Sequence, residues 1–186
     1  MMTLTENQAT EQFKSSVPRE YFNIHPQCKG EAIYVKKLKK IFANWDQRPI
    51  PSFGIVDFIL EPTEKLLEKG WGIGCVGIEI KSSFQIQTKP GKAIVQILDY
   101  QSCCYPLENG KAELSMIFLF PFRETAHDIA SIMQQEGLGF VRCNLHYGIK
   151  FQLLQANTSH EPVFTLYKDG RVNIRKPRYG KKFGHR

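Results

Sequence analysis

Apolar side chains recur along this chain with two periods, and the change from one to the other lays out the expected elements. After Glu31, the residues Val35, Leu38, Phe42 and Trp45 fall at i+4, i+7, i+11 and i+14, the spacing of one helix face. Lys36, Lys37, Lys39 and Lys40 lie largely off that stripe, so residues 30–45 read as a helix that Pro49 and Pro51 close, with Glu31 inward near its start. Strand-like segments follow at 53–60 and 75–81, separated by a polar, turn-like stretch with room for a short helical piece. Pro90-Gly91 introduces a helix over 92–105 that Pro106 stops. Residues 114–120, apolar but for Ser115, read as a central strand covered on both sides.

A further helix is expected over 124–135, and short strands over 140–145 and 150–156. Strands over 163–167 and 171–174 flank Lys168-Asp169-Gly170, where Asp-Gly marks a hairpin turn. The first sixteen residues are polar and read as a frayed terminus. The sum is an α/β protein: a mixed central β-sheet flanked by helices, with a β-rich C-terminal extension, in one domain over 17–170.

Composition narrows the class. With 186 residues and 42% hydrophobic content the chain can bury one good core. Its longest apolar runs, such as 116–120, are too short to cross a membrane, and the N-terminus lacks the basic and apolar segments of a secretory signal. A cytoplasmic or otherwise intracellular protein is expected, neither secreted nor membrane-bound. The five cysteines, Cys28, Cys75, Cys103, Cys104 and Cys143, are odd in number and contain no C-x-x-C pair, which favours buried thiols over a disulfide framework or a zinc ribbon. Cys28 beside His25 would be half of a metal site, with no second half.

The net charge of +7 sits at one end. Arg171, Arg175, Lys176, Arg178, Lys181, Lys182 and Arg186 have no acid among them, while the 18 remaining basic residues balance 18 acids. Interleaved with Tyr179 and Phe183, this tail suits phosphate contacts and base stacking, or serves only to keep the terminus soluble.

The chemistry-bearing residues lie in the two strands at 53–60 and 75–81. Side chains alternate along a strand, so Gly77, Glu79 and Lys81 share one face while Val76, Ile78 and Ile80 occupy the other. A carboxylate and an ammonium on an apolar strand are costly to bury without a partner. The earlier strand carries one acid, Asp57. Two hard oxygen donors and a lysine suit a divalent cation and an activated water, the chemistry of phosphodiester hydrolysis.

Other chemistries lack their residues. His127 and His146 stand alone without H-E-x-x-H, and no G-x-x-x-x-G-K-[ST] loop occurs. The glycines at 70, 72 and 74 precede a strand instead of joining a strand to a helix, so they fit a tight turn better than dinucleotide binding. Cys103 and Cys104, inside the expected helix without a placed histidine, make poor nucleophiles.

Taken in order, Glu31, the G-x-x-D of 54–57, the E-x-K of 79–81 and the Q-x-x-x-Y of 96–100 resemble the PD-(D/E)XK nuclease superfamily, most closely its RecB-like branch. The resemblance covers residues 30–120, about half the chain, and departs from the superfamily's name in having Val56 where a proline would precede the acid. It implies a restriction-endonuclease-like core. It further implies Asp57, Glu79 and the Ile80 backbone carbonyl as ligands for Mg²⁺, with Mn²⁺ able to substitute, and Lys81 beside the attacking water. Glu31 would add a further carboxylate or simply face water at a helix start. Gln96 and Tyr100, four apart, would support Lys81 and substrate from one helix face, or form a partly exposed face. For Lys81 the plain alternative is an ion pair that neutralises Glu79 or Asp57.

The function expected on these grounds is DNA hydrolysis, more readily by an endonuclease than an exonuclease at this size. A homodimer would suit it, because one such site cuts one strand. The rival readings are an inactive nucleic-acid-binding module of the same fold and an RNA endonuclease.

Overall fold

A computed structural model describes residues 4–32, 53–72, 74–101, 103–114, 116–121, 138–144, 148–154, 160–167 and 171–174. The chain opens with helix α1 (Glu6–Ser16), followed by strands β1 (Phe22–Ala32) and β2 (Phe53–Pro62). Next come the short helix α2 (Glu64–Glu68), strand β3 (Val76–Ile80), and helices α3 (Ser83–Thr88) and α4 (Pro90–Gln101). The remaining strands are β4 (Cys103–Leu107), β5 (Gly110–Glu113), β6 (Met116–Phe120), β7 (Leu138–Asn144), β8 (Gly148–Leu154), β9 (His160–Leu166) and β10 (Val172–Ile174).

The strands form one sheet in the order β10-β9-β8-β7-β6-β3-β2-β1-β4-β5. β1, β2 and β3 make an antiparallel meander, and β6 joins β3 in parallel through a connection that contains α3 and α4. β7 is parallel to β6, and β8 to β10 complete the sheet as antiparallel neighbours, the expected β-rich extension. The protein is thus α/β, with a mixed sheet and helices on both faces.

Two cores sandwich the sheet. On one face Val76, Ile78, Ile80, Met116, Phe118 and Phe120 pack with Ala9 and Phe13 of α1. On the other, Ile59, Ile117, Leu119 and Phe140 pack with Ala93, Ile94 and Ile97 of α4. Burial on both faces explains why β3 and β6 are wholly buried and why 116–120 reads as an unbroken apolar run. Each fully buried Phe or Ile of this kind is worth about 1.5–3 kcal/mol over exposure.

Several expected elements are corrected. Of the first sixteen residues, those from 4 onward are not frayed: Thr5 and Gln8 form a capping box, and Ala9 and Phe13, four apart, anchor α1 in the core. α1 therefore packs in the same core as β3 and β6. Residues 30–32 are the end of β1, not a helix start, because Glu31 and Ala32 pair with Cys104 and Cys103. The rest of the expected helix over 30–45 lies outside the described residues, as does the helix expected over 124–135. α4 stops at Gln101, and Cys103 and Cys104 belong to β4. Helix α3, absent from the expected elements, begins with a second capping box between Ser82 and Gln85. The glycine-rich turn stands as expected: Gly70 and Gly74 have φ of 89° and 80°, and the Trp71 indole donates to the Gly74 carbonyl at 2.8 Å.

Candidate active site

The β2–β3 ladder runs from Leu60↔Val76 to Phe58↔Ile78 and stops there. Asp57 and Glu79 are the next residues on the two strands beyond that last pair. In place of a ladder bond, the Ile80 backbone N–H donates to Asp57 Oδ2 at 2.7 Å. The neighbouring strand breaks at the same level. Gln27 on β1 adopts φ of 49°, and the β1–β2 pairing passes from Pro26↔Phe58 to Cys28↔Val56 without including it. The Gln27 amide donates to Asp57 Oδ1 at 3.4 Å. Both carboxylate oxygens of Asp57 are therefore held, one from each flanking strand.

Glu79 follows from the alternation on β3. Gly77 meets Leu114 and Ile117 on the α4 side of the sheet, so Glu79, two residues on, faces that side as well. It is 1% exposed. Lys81 donates to Glu79 Oε1, while Oε2 is buried with no hydrogen-bond partner. Burial first, and the Asp57 charge second, push the Glu79 carboxyl up to about 7, with Lys81 pulling the other way. Two carboxylates crowded in this way, one with an orphaned buried oxygen, suit a hard divalent cation. Among the described residues no group of three or more His, Cys, Asp or Glu side chains gathers that could hold a metal ion.

α4 covers this face. Tyr100 is buried, and the Gln96 amide donates to its hydroxyl. Burial chiefly, then the charge of Glu79, raise the Tyr100 phenol to about 12, with Asp57 adding to it, so the ring lies within the field of both acids. The glycine of G-x-x-D has a steric reason here. A Cβ on Gly54 would stand 2.7 Å from Tyr100 Cδ1, closer than any side chain is found. Gly54 thus clears the space in which Tyr100 seats. The Tyr100 carbonyl in turn accepts from the buried Tyr105 hydroxyl at 3.1 Å.

Compared with known proteins, the chain matches no family model, no curated protein and no solved structure.

The fold thus brings together Asp57, Glu79, Lys81, Gln96 and Tyr100. It does not bring Glu31. Gly30 faces Tyr105 on the α4 side, so Glu31, the next residue on β1, projects from the opposite face, where it is exposed. The expectation of an inward glutamate failed because the segment is strand, where faces alternate with period two. Of the basic tail, Arg171 is exposed with its guanidinium 5.1 Å from the Tyr167 ring centroid. Arg175, Lys176, Arg178, Lys181 and Lys182 lie outside the described residues, as do His127 and His146. His25, considered beside Cys28, instead pairs with Glu61 at 2.8 Å.

Gln27 is a residue of this site that is not among the expected ones. Pro26 weakens the strand signal of its segment, although at Pro26 β1 has β2 alone as a neighbour, where a missing N–H is harmless. Nothing local announces the left-handed backbone of Gln27.

Proposed function

We propose that this protein is a metal-dependent nuclease that hydrolyses phosphodiester bonds in DNA, more readily as an endonuclease, on a restriction-endonuclease-like core. The observation that carries the reading is the convergence of Asp57, Glu79, Lys81, Gln96 and Tyr100 from β2, β3 and α4 onto one buried, acid-rich spot. The antiparallel β1–β2–β3 meander, with β6 parallel to β3 behind two helices, supports the core assignment. Asp57 and Glu79, with the Ile80 carbonyl, would hold Mg²⁺ or Mn²⁺. Bound there, such a cation lowers the pKa of a water and offsets charge on the scissile phosphate.

The chain's own residues prepare that chemistry. Asp57 is oriented by the Ile80 N–H and the Gln27 amide, so its geometry is set before substrate arrives. Glu79 shares its charge with Lys81, and the ammonium turns from that carboxylate to the attacking water or a phosphate oxygen. Gln96 and Tyr100, bonded to each other on α4, would supply an amide and a phenol to fix the substrate backbone.

The test is cleavage of plasmid DNA by the purified full chain with Mg²⁺ or Mn²⁺, beside Asp57→Asn and Lys81→Ala. Loss of cutting with folding intact is expected in both variants; undiminished cutting by both would overturn the assignment. A gel comparing linear, circular, single-stranded and branched substrates, DNA and RNA, then separates the possible substrates.

One feature favours a second reading. Lys81 already neutralises Glu79, as in an inert buried ion pair, which would suit a binding module without hydrolysis. Calorimetric titration with Mn²⁺ decides between them, since the module would bind DNA but no cation.

A further inference from the structure

The two helices that follow Lys81 carry a surface the cleavage chemistry does not use. Phe84 on α3 is 64% exposed and Val95 on α4 is 60% exposed. Ile86, Ala93, Ile94 and Ile97 pack these helices inward onto the sheet face that carries Glu79. The Ser82 capping box starts α3 immediately after Lys81, which holds Phe84 within one turn of that lysine. Lys89 and Lys92 are exposed between Phe84 and Val95, and no acid occurs from Lys81 to Leu98. A large ring left in water on a segment whose charged side chains are all basic is poorly matched to a neutral apolar partner and well matched to a polyanion that has aromatic faces.

We infer that the α3–α4 hairpin is a platform for unpaired nucleotides: Phe84 stacks on an exposed base while Lys89 and Lys92 take the flanking phosphates. A continuous duplex keeps its base faces within the stack and offers the lysines phosphates alone. A strand with unpaired bases offers both. The substrate class is therefore nucleic acid that is single-stranded next to the cut, such as a fork, a flap or a free strand. Placement beside the cut rests on the phosphodiester-cleavage reading; the binding itself does not.

The experiment measures fluorescence polarisation of labelled oligonucleotides of about twelve nucleotides with the full chain in EDTA, where no hydrolysis occurs. Wild type should bind the single strand more tightly than the same sequence as duplex. Phe84→Ala should lower single-strand affinity about fivefold to a hundredfold and leave duplex affinity within about twofold, and Phe84→Trp should restore the preference. Lys89→Ala with Lys92→Ala should weaken both and flatten the salt dependence. Equal affinity of the wild type for both forms overturns the inference. So does unchanged single-strand binding by Phe84→Ala, including the case in which that variant instead turns a dimer into a monomer in sedimentation, which would assign the surface to a second copy. A chain that shows the Phe84-dependent preference but cuts nothing with any cation keeps the platform and overturns the hydrolysis reading.

Discussion

The Ile80 backbone N–H donates to Oδ2 of Asp57 at 2.7 Å, at the level where the β2–β3 ladder has just ended. A side-chain carboxylate thus takes the place of a strand partner. Asp57→Asn retains an acceptor for that N–H and should fold normally while losing cleavage. Asp57→Ala leaves the N–H unpaired, a cost of about 1–3 kcal/mol, partly offset by easing repulsion on Glu79. Urea unfolding of both variants, beside a plasmid-nicking assay, checks the pair. Equal stability of Asn and Ala variants would discount the bond.

Glu79 makes stability depend on pH. Its folded-state carboxyl is raised from the ordinary 4.5 to about 7, so the folded protein holds the proton more tightly than the unfolded chain. That contribution is full below the unfolded value and is lost as pH rises through about 7. In EDTA, wild type and Glu79→Gln should be alike near the unfolded value. Above about 7 the Gln variant should become the more stable by an amount of order 3 kcal/mol. Mn²⁺ affinity of the wild type should strengthen over the same rise, because the cation needs the ionised carboxylate. Denaturation midpoints and calorimetry across pH measure both.

Gly54→Ala places a methyl group against the Tyr100 ring. Overpacking of this kind costs about 1–3 kcal/mol. The ring must shift, so cleavage should fall further than the lost stability accounts for. Tyr100→Phe keeps the packing and removes the hydroxyl that accepts from Gln96, and it should lower activity with little change in melting temperature.

Gln27 has φ of 49°, where a β-branched residue fits poorly. Gln27→Val should destabilise by about 1–2 kcal/mol relative to Gln27→Gly. The glycine variant accepts the backbone but lacks the amide that reaches Asp57, so it should fold well and bind Mn²⁺ more weakly than wild type. Identical cation affinity would remove Gln27 from the site.

Phe13 of α1 is fully buried, with its ring centroid 5.4 Å from that of Phe58 and 5.6 Å from that of Phe120. Phe13→Ala should cost about 3–5 kcal/mol by cavity formation, measured by chemical denaturation. A loss below about 1 kcal/mol would mean that α1 is dispensable to the core.

Around the site, local pattern was sufficient. β2, β3, β6 and most of α4 could be read because both-sided burial, strand alternation and helix spacing each leave a mark within a few residues. The same alternation put Glu79 and Lys81 on one face, and the spacing of Gln96 and Tyr100 put them on one side of a helix. Where expectation and structure part, the deciding interaction is distant in sequence. β1 owes its strand form at Glu31 and Ala32 to pairing with Phe53 and β4, which overrides the helical spacing that the following residues suggest. α1 leaves no such mark, because a polar segment with only Ala9 and Phe13 buried needs the sheet beneath it to make those two residues count.

Residue order alone thus settled which side chains were available for chemistry and which strand and helix faces would carry them, since those properties repeat at short range along the backbone. Tertiary structure alone decided that the Ile80 N–H reaches Asp57, that Gln27 reaches Asp57, that Glu31 points away, and that Phe84 is left in water. Those outcomes depend on which strands become neighbours and where a ladder ends. The free energy of that choice comes from packing and pairing between segments far apart in the chain.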